Sequence, residues 1–195
     1  MEIPRNKTSG TLELSQNKYV LSILKQFGME EANPAKSPAS GKVMHQTADD
    51  NQLDEQGTKQ YQAIVGSPIF LTQCTRFDIC YSVSQAARFM SKPFQDNMIA
   101  VKRILRYLRW QPDLPVKYRK NNFELVRYSD ASHGGTEETR KKSTSGSIFF
   151  LASGLVHFSS SLQRIIATSS TEAELLALAT CAKQGIYLSN LHSTN

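Results

Sequence analysis

Four pieces of one stretch decide the fold: LVRYSDASHGG (125–135), STSG (143–146), IFFLASGLVHF (148–158) and SSTEAELLAL (169–178). The pair Ser153-Gly154 between two apolar runs is a hairpin signal. Val126, Tyr128 and Asp130 fall on one face of a strand, because side chains alternate along it. Asp130 therefore ends a strand, whereas Glu174 stands in the first turns of a helix. A carboxylate in each position can converge on a divalent cation.

Around this stretch the chain has 195 residues, enough for one domain or two small ones. With 39% hydrophobic and 21% charged residues it reads as globular. A net charge of +6 is compatible with a polyanionic partner without requiring one. Cys74, Cys80 and Cys181 form no CxxC pair and read as reduced thiols. No apolar run approaches the roughly 20 residues of a membrane span, and MEIPRNKTSG (1–10) lacks a signal-peptide core. The expectation is a cytoplasmic or nuclear protein without a membrane partner.

In chain order, residues 1–14 suggest two extended pieces about Thr8-Ser9-Gly10. Ser15 then caps a helix carrying Tyr19, Val20, Ile23, Leu24 and Phe27, and Gly28 closes it. Residues 33–58 are polar and aperiodic, and read as a linker. Helical patterning resumes over 61–107, with Pro68 expected to kink or end the first piece. Thr75 with Asp78 suggests a capping box for the second, whose apolar face is Val83, Ala86, Ala87 and Met90. The third puts Met98, Val101, Ile104, Leu105 and Leu108 on one side and Lys102, Arg103, Arg106 and Arg109 on the other.

That basic side is a candidate phosphate contact, the alternative being a solvated helix face. Arg140, Lys141 and Lys142, beside Ser143 and Thr144, offer the same two readings, and Gln163-Arg164 is equally ambiguous. Beyond Gln163, Ser169 and Glu172 form a capping box, which gives Glu172 a structural role. Glu174 instead shares a face with Leu178, Cys181 and Leu188, and a carboxylate on an apolar stripe asks for a partner or a metal. His133 reads as a turn residue beside Gly134-Gly135. No P-loop, Rossmann, HExxH or GxSxG pattern is present.

Three blocks in order carry a resemblance: LELSQNKYVLSILKQFGM (12–29), then YQAIVGSPIFLTQCTRFDICYSVSQAARFMSKP (61–93) with AVKRILRYLRW (100–110), then YSDAS (128–132), RKKSTSGSIFFL (140–151) and SSTEAELLALATCAKQGIYL (169–188). The chain resembles the Pol polyprotein of copia-type LTR retrotransposons, from the end of the reverse transcriptase into RNase H. The resemblance implies an α+β architecture. It has four parts: the end of the reverse transcriptase (1–32), a linker (33–58), a helical connection region (59–120) and a truncated RNase H-like domain of three antiparallel strands and a helix (121–195). It also implies metal-dependent cleavage of RNA in an RNA–DNA hybrid. Asp130 matches the first-strand catalytic carboxylate, Glu174 the helix carboxylate, and both would be ligands of Mg²⁺ or Mn²⁺. Partners would be the hybrid or other nucleic acid and the rest of the Pol polyprotein.

The chain departs from the family pattern. The family's third carboxylate, in a DN motif on the strand that follows the helix of Glu174, and the reverse-transcriptase YxDD motif, ahead of the first block, have no counterpart in the sequence. Ser132-His133 replaces the usual Asp-Trp after the first-strand Asp-Ala, Phe77 replaces a Pro, and Pro68 replaces a Leu. The expectations that follow are an incomplete site, inactive alone, on a thin-cored sheet with an open edge. The alternatives are a non-catalytic nucleic-acid-binding remnant and a non-functional, pseudogene-like product.

Overall fold

The computed structural model describes residues 1–39, 52–120, 123–134 and 141–193. Strands β1 (Arg5–Asn6) and β2 (Thr11–Leu14) precede helix α1 (Asn17–Gln26). Helices α2 (Glu55–Cys74), α3 (Cys80–Ala87) and α4 (Gln95–Trp110) follow, with a 3-10 turn over Phe77–Ile79 leading into α3. Strands β3 (Val116–Arg119), β4 (Val126–Ser132), β5 (Thr144–Leu151) and β6 (Gly154–Leu162) and helix α5 (Ser170–Ser193) complete the order. The architecture is α+β, and the chain divides into two compact units: residues 1–4 with 14–115, and residues 5–13 with 116–195.

The first unit is helical around one apolar cluster, in which α1 contributes Val20, Ile23 and Leu24. From α2 come Tyr61, Ile64, Val65 and Leu71, and from α4 Met98, Val101, Ile104, Leu105 and Leu108. The apolar periodicity of α1 and α4 predicts these faces. Gly28 ends α1 at a φ of 63°. Its N–H reaches the Lys25 carbonyl, and Met29 N–H the Leu24 carbonyl, the paired bonds of a Schellman motif.

Two local expectations change here. Helix α2 does not end at Pro68 but runs through it, with Pro68 buried. Proline removes one N–H from the ladder, but Pro68 packs with Ile64, Val65 and Leu71 on the buried side of the helix, and tertiary packing overrides the local penalty. Thr75 does not cap α3. It ends α2, and its buried hydroxyl bonds Gln16 Oε1 at 2.8 Å. Asp78 is taken by Arg76, whose Nε and Nη2 reach the two carboxylate oxygens at 3.0 and 2.8 Å. Arg76 is 1% exposed, also bonds the Gln111 carbonyl at 2.8 Å, and lies 5.7 Å from the Tyr107 ring centre.

The second unit holds two three-stranded sheets, ordered β1-β2-β3 and β4-β5-β6. The β1–β2 hairpin turns at Gly10, as its Thr-Ser-Gly sequence predicts. β3 is a strand inside the stretch expected to be helical. Four residues are too few to show a period, and VKYR acquires its partners from distant segments. Tyr118 Oη donates to the Leu155 carbonyl at 2.7 Å and Arg119 N–H to the Ala152 carbonyl at 2.7 Å. The hairpin between β5 and β6 turns at Ala152 and Ser153, both at positive φ, one residue before the expected pair. Gly154 serves a different need: a Cβ there would stand 2.4 Å from Tyr118 Cδ1.

In the second sheet β4 and β5 pair antiparallel from Val126↔Phe150 to Ser132↔Thr144, which leaves β4 at the edge. Helix α5 crosses this sheet through Ala173, Ala177, Cys181 and Gly185, a stripe of small residues that lets the backbone come close. Beneath it lie Ser145, Ser147 and Phe149 of β5. Phe149 is the one large, fully buried apolar side chain of this unit among the described residues, so its core is thin.

Candidate active site

Asp130 sits near the end of β4 opposite Gly146, on the face shared by Tyr128 and Ser132. Helix α5 covers the other face, where Arg127 pairs across to Phe149 and its guanidinium lies against Gly185. Asp130 is exposed and, among the described residues, has no hydrogen-bond or ion-pair partner.

Glu174 is likewise exposed and unpartnered in the first turns of α5. This corrects the reason for singling it out. Of the stripe it was expected to share, Cys181 is buried and Leu188 half-buried, but Leu178 is 55% exposed. The packed stripe runs through Ala173, about 100° away round the helix. No burial penalty acts on the Glu174 carboxylate.

Glu172 takes the capping role expected of it, with one difference. Ser169 Oγ accepts the Glu172 N–H at 3.1 Å, whereas the Glu172 carboxylate reaches past Ser169 to the N–H and hydroxyl of Thr168 at 2.6 and 2.7 Å. Those hydrogen bonds, the backbone one foremost, hold its pKa below the ordinary carboxylate value.

Between the elements that bear the two candidate carboxylates stands Gln163, which the sequence left ambiguous. Its N–H donates to the Ser143 carbonyl at 2.8 Å. Its Nε2 donates both to Ser145 Oγ at 2.8 Å and to the Ala173 carbonyl at 2.9 Å. Ser145 is the register partner of Ala131, next to Asp130, and Ala173 precedes Glu174. One buried amide thus ties the start of α5 to the sheet at the level of Asp130. Further along, Cys181 Sγ lies 3.7 Å from the Tyr128 carbonyl, and burial raises its pKa. Among the described residues, no three His, Cys, Asp or Glu side chains group as a metal site.

The basic side of α4 is organised differently from a free phosphate track. Arg103 Nε donates to the Ser37 carbonyl at 3.1 Å, Arg106 Nε to the Asn33 carbonyl at 2.6 Å, and Arg109 Nε to the Glu30 carbonyl. Ala35 N–H returns a bond to the Arg106 carbonyl at 3.1 Å. Three arginines one turn apart therefore clamp residues 30–37, from the end of the first expected part into the expected linker, antiparallel along α4. Lys102 is exposed beside them. In the second unit Lys141 is exposed at a φ of 57° and Lys142 is half-buried, while Arg140 lies outside the described residues.

A Pol polyprotein of the transposon TNT 1-94 from Nicotiana tabacum is 35% identical over 96% of this chain and 14% of its own length. The Pol polyprotein of transposon RE1 from Arabidopsis thaliana is 33% identical over 92% of the chain and 12% of its own. An uncharacterised mitochondrial protein of Arabidopsis thaliana is 31% identical over 89% of the chain and 70% of its own. The chain belongs to the retrovirus-related Pol family of transposons. It spans only about an eighth of the two Pol polyproteins. No protein-family model matches it, and no solved structure does. Among the described residues, no helix is long and apolar enough to cross a membrane.

Proposed function

We propose that this segment of a transposon Pol protein carries part of an RNase H-type active site of the copia kind. In this reading Asp130 and Glu174 are two of the carboxylates for Mg²⁺ or Mn²⁺ that act on the RNA strand of an RNA–DNA hybrid. The observation in support of the reading is the Gln163 bridge, which ties the first turn of α5 to Ser145, the register neighbour of Ala131. Among the described residues Asp130 and Glu174 are each unpartnered beside it, Asp130 on the face of the edge strand away from α5. Hard carboxylate oxygens with no competing cation suit a divalent ion. Bound there, such an ion would lower the pKa of its water and offset charge on the phosphate.

Two carboxylates cannot fully offset the repulsion of a metal pair, so metal binding by this chain alone is weak and hybrid cleavage negligible. Other parts of a Pol polyprotein are the partner that would supply further ligands. An RNA–DNA hybrid incubated with the chain and Mn²⁺ tests this: no turnover is expected, and robust cleavage abolished by Asp130→Asn would overturn the incompleteness.

The rival reading, a remnant that holds nucleic acid without cutting it, rests on α4 and the 141–142 loop. The arginine clamp weakens it, because each Nε of Arg103, Arg106 and Arg109 is already committed to a carbonyl. Lys102, Arg140, Lys141 and Lys142 are the cations left to it. Salt-dependent retention of duplex or hybrid, lost when these four are replaced by Ala, would favour it.

A further inference from the structure

We propose that Gln163 is a positioning residue for the metal site, setting the depth and rotation of the first turns of α5, and hence of Glu174, relative to Asp130. This rests on the reading of Asp130 and Glu174 as metal ligands. Three bonds converge on one residue just after β6: its N–H to Ser143, and its Nε2 to Ser145 and Ala173. The Ala173 carbonyl can only accept, which fixes the amide with its NH₂ toward the helix. That orientation leaves Oε1 buried with no hydrogen-bond partner. Gln163 is 8% exposed, and a solvent-facing loop residue would do as well if the only need were to connect β6 to α5.

The bridge also explains why a helix start is held firmly where the core is thin. Phe149 and the Cys181–Tyr128 contact lie further along α5, so at the end that bears Glu174 only the small side chains Ala173 and Ala177 pack, and the Gln163 bonds add a polar tie to them. Glu172 fixes the cap to its own chain at Thr168, not to the sheet. Gln163 is the side chain that reaches from the β6 end to both the sheet and the helix.

The test compares the wild-type chain with Gln163→Leu, which loses both side-chain bonds, and Gln163→Glu, which keeps the shape but cannot donate to Ala173. Without metal, amide exchange over 171–176 is expected to accelerate in both variants while 181–188 stays unchanged. With Mn²⁺, followed by paramagnetic broadening near residues 130 and 174, affinity is expected to fall about tenfold or more, as when a group orienting a ligand is lost. Unchanged exchange over 171–176 would overturn the bridge whatever the metal does. Local loosening with unchanged Mn²⁺ affinity would reduce Gln163 to a structural tie and overturn the positioning role. No broadening at 130 and 174 in the wild type would instead remove the metal reading itself, and the positioning role with it.

Discussion

Removing either partner of the Arg76–Asp78 pair should destabilise the first unit, and by different amounts. The Arg76 side chain is 1% exposed and that of Asp78 23%. Arg76→Met loses two bonds to Asp78, one to the Gln111 carbonyl and the contact with Tyr107. The stranded carboxylate still reaches water, and Met refills part of the volume. Asp78→Ala instead leaves a buried guanidinium with the Gln111 carbonyl and Tyr107 as its remaining neutral partners. Breaking a buried pair costs ~3–5 kcal/mol, mostly from the charge left behind. Arg76→Met therefore belongs near the lower figure and Asp78→Ala near the upper. With an m-value of about 2 kcal/mol/M in urea, these become midpoint shifts of roughly 1.5 and 2.5 M. Trp110, the only tryptophan, lies in the same unit and reports the transition by fluorescence. A smaller shift for Asp78→Ala than for Arg76→Met would refute the idea that stranded charge decides the cost.

Gly154→Ala should cost the second unit ~1–3 kcal/mol, because its Cβ meets both the Tyr118 ring and the Lys117 carbonyl; thermal unfolding measures it, and Tyr118→Ala in the same chain should remove only part of the difference, since the backbone contact stays. The lowered pKa of Glu172 means that its carboxylate stabilises the fold above the ordinary carboxyl range. That contribution is lost as pH falls through the depressed value. Glu172→Gln should accordingly flatten the acid limb of the α5 helix signal in circular dichroism between about pH 4.5 and lower values. Replacing Arg103, Arg106 and Arg109 together by Lys keeps the charge but removes the three Nε donors. Limited proteolysis should then cut residues 30–39 several times faster than in the wild type.

The elements with long apolar periods were legible in the sequence. The buried faces of α1 and α4 follow from spacing alone; the hairpin of β5 and β6 follows from its turn signal, and the three antiparallel strands β4 to β6 from the family resemblance. Features decided by distant partners were not. Pro68 sits inside a helix because its neighbours pack, and Thr75 ends a helix instead of starting one because Gln16 claims its hydroxyl. The short strand β3 has partners that lie far away in sequence. The basic face of α4 looked the same whether its cations faced solvent, phosphate or carbonyls, since charge patterning does not show which atoms are already bonded.

At the candidate site, position was legible and environment was not. Asp130 and Glu174 were chosen for standing at a strand end and a helix start, and each is exposed there. Glu174 does not lie on a buried apolar stripe because α5 packs through small residues, Ala173, Ala177 and Gly185, that carry little hydrophobic signal. The same smallness lets the helix lie close enough for Gln163 to reach its backbone. A buried glutamine has no sequence signature, since its importance lies in three bonds to residues 10 to 20 positions away.

The most direct measurement is Mn²⁺ titration of the isotope-labelled chain, read residue by residue by NMR. The account predicts that signals around Asp130 and around Glu174 broaden together with one weak affinity, and that Asp130→Asn abolishes both responses. Broadening at only one carboxylate, or at both with separate affinities that Asp130→Asn leaves intact, would contradict a shared metal site.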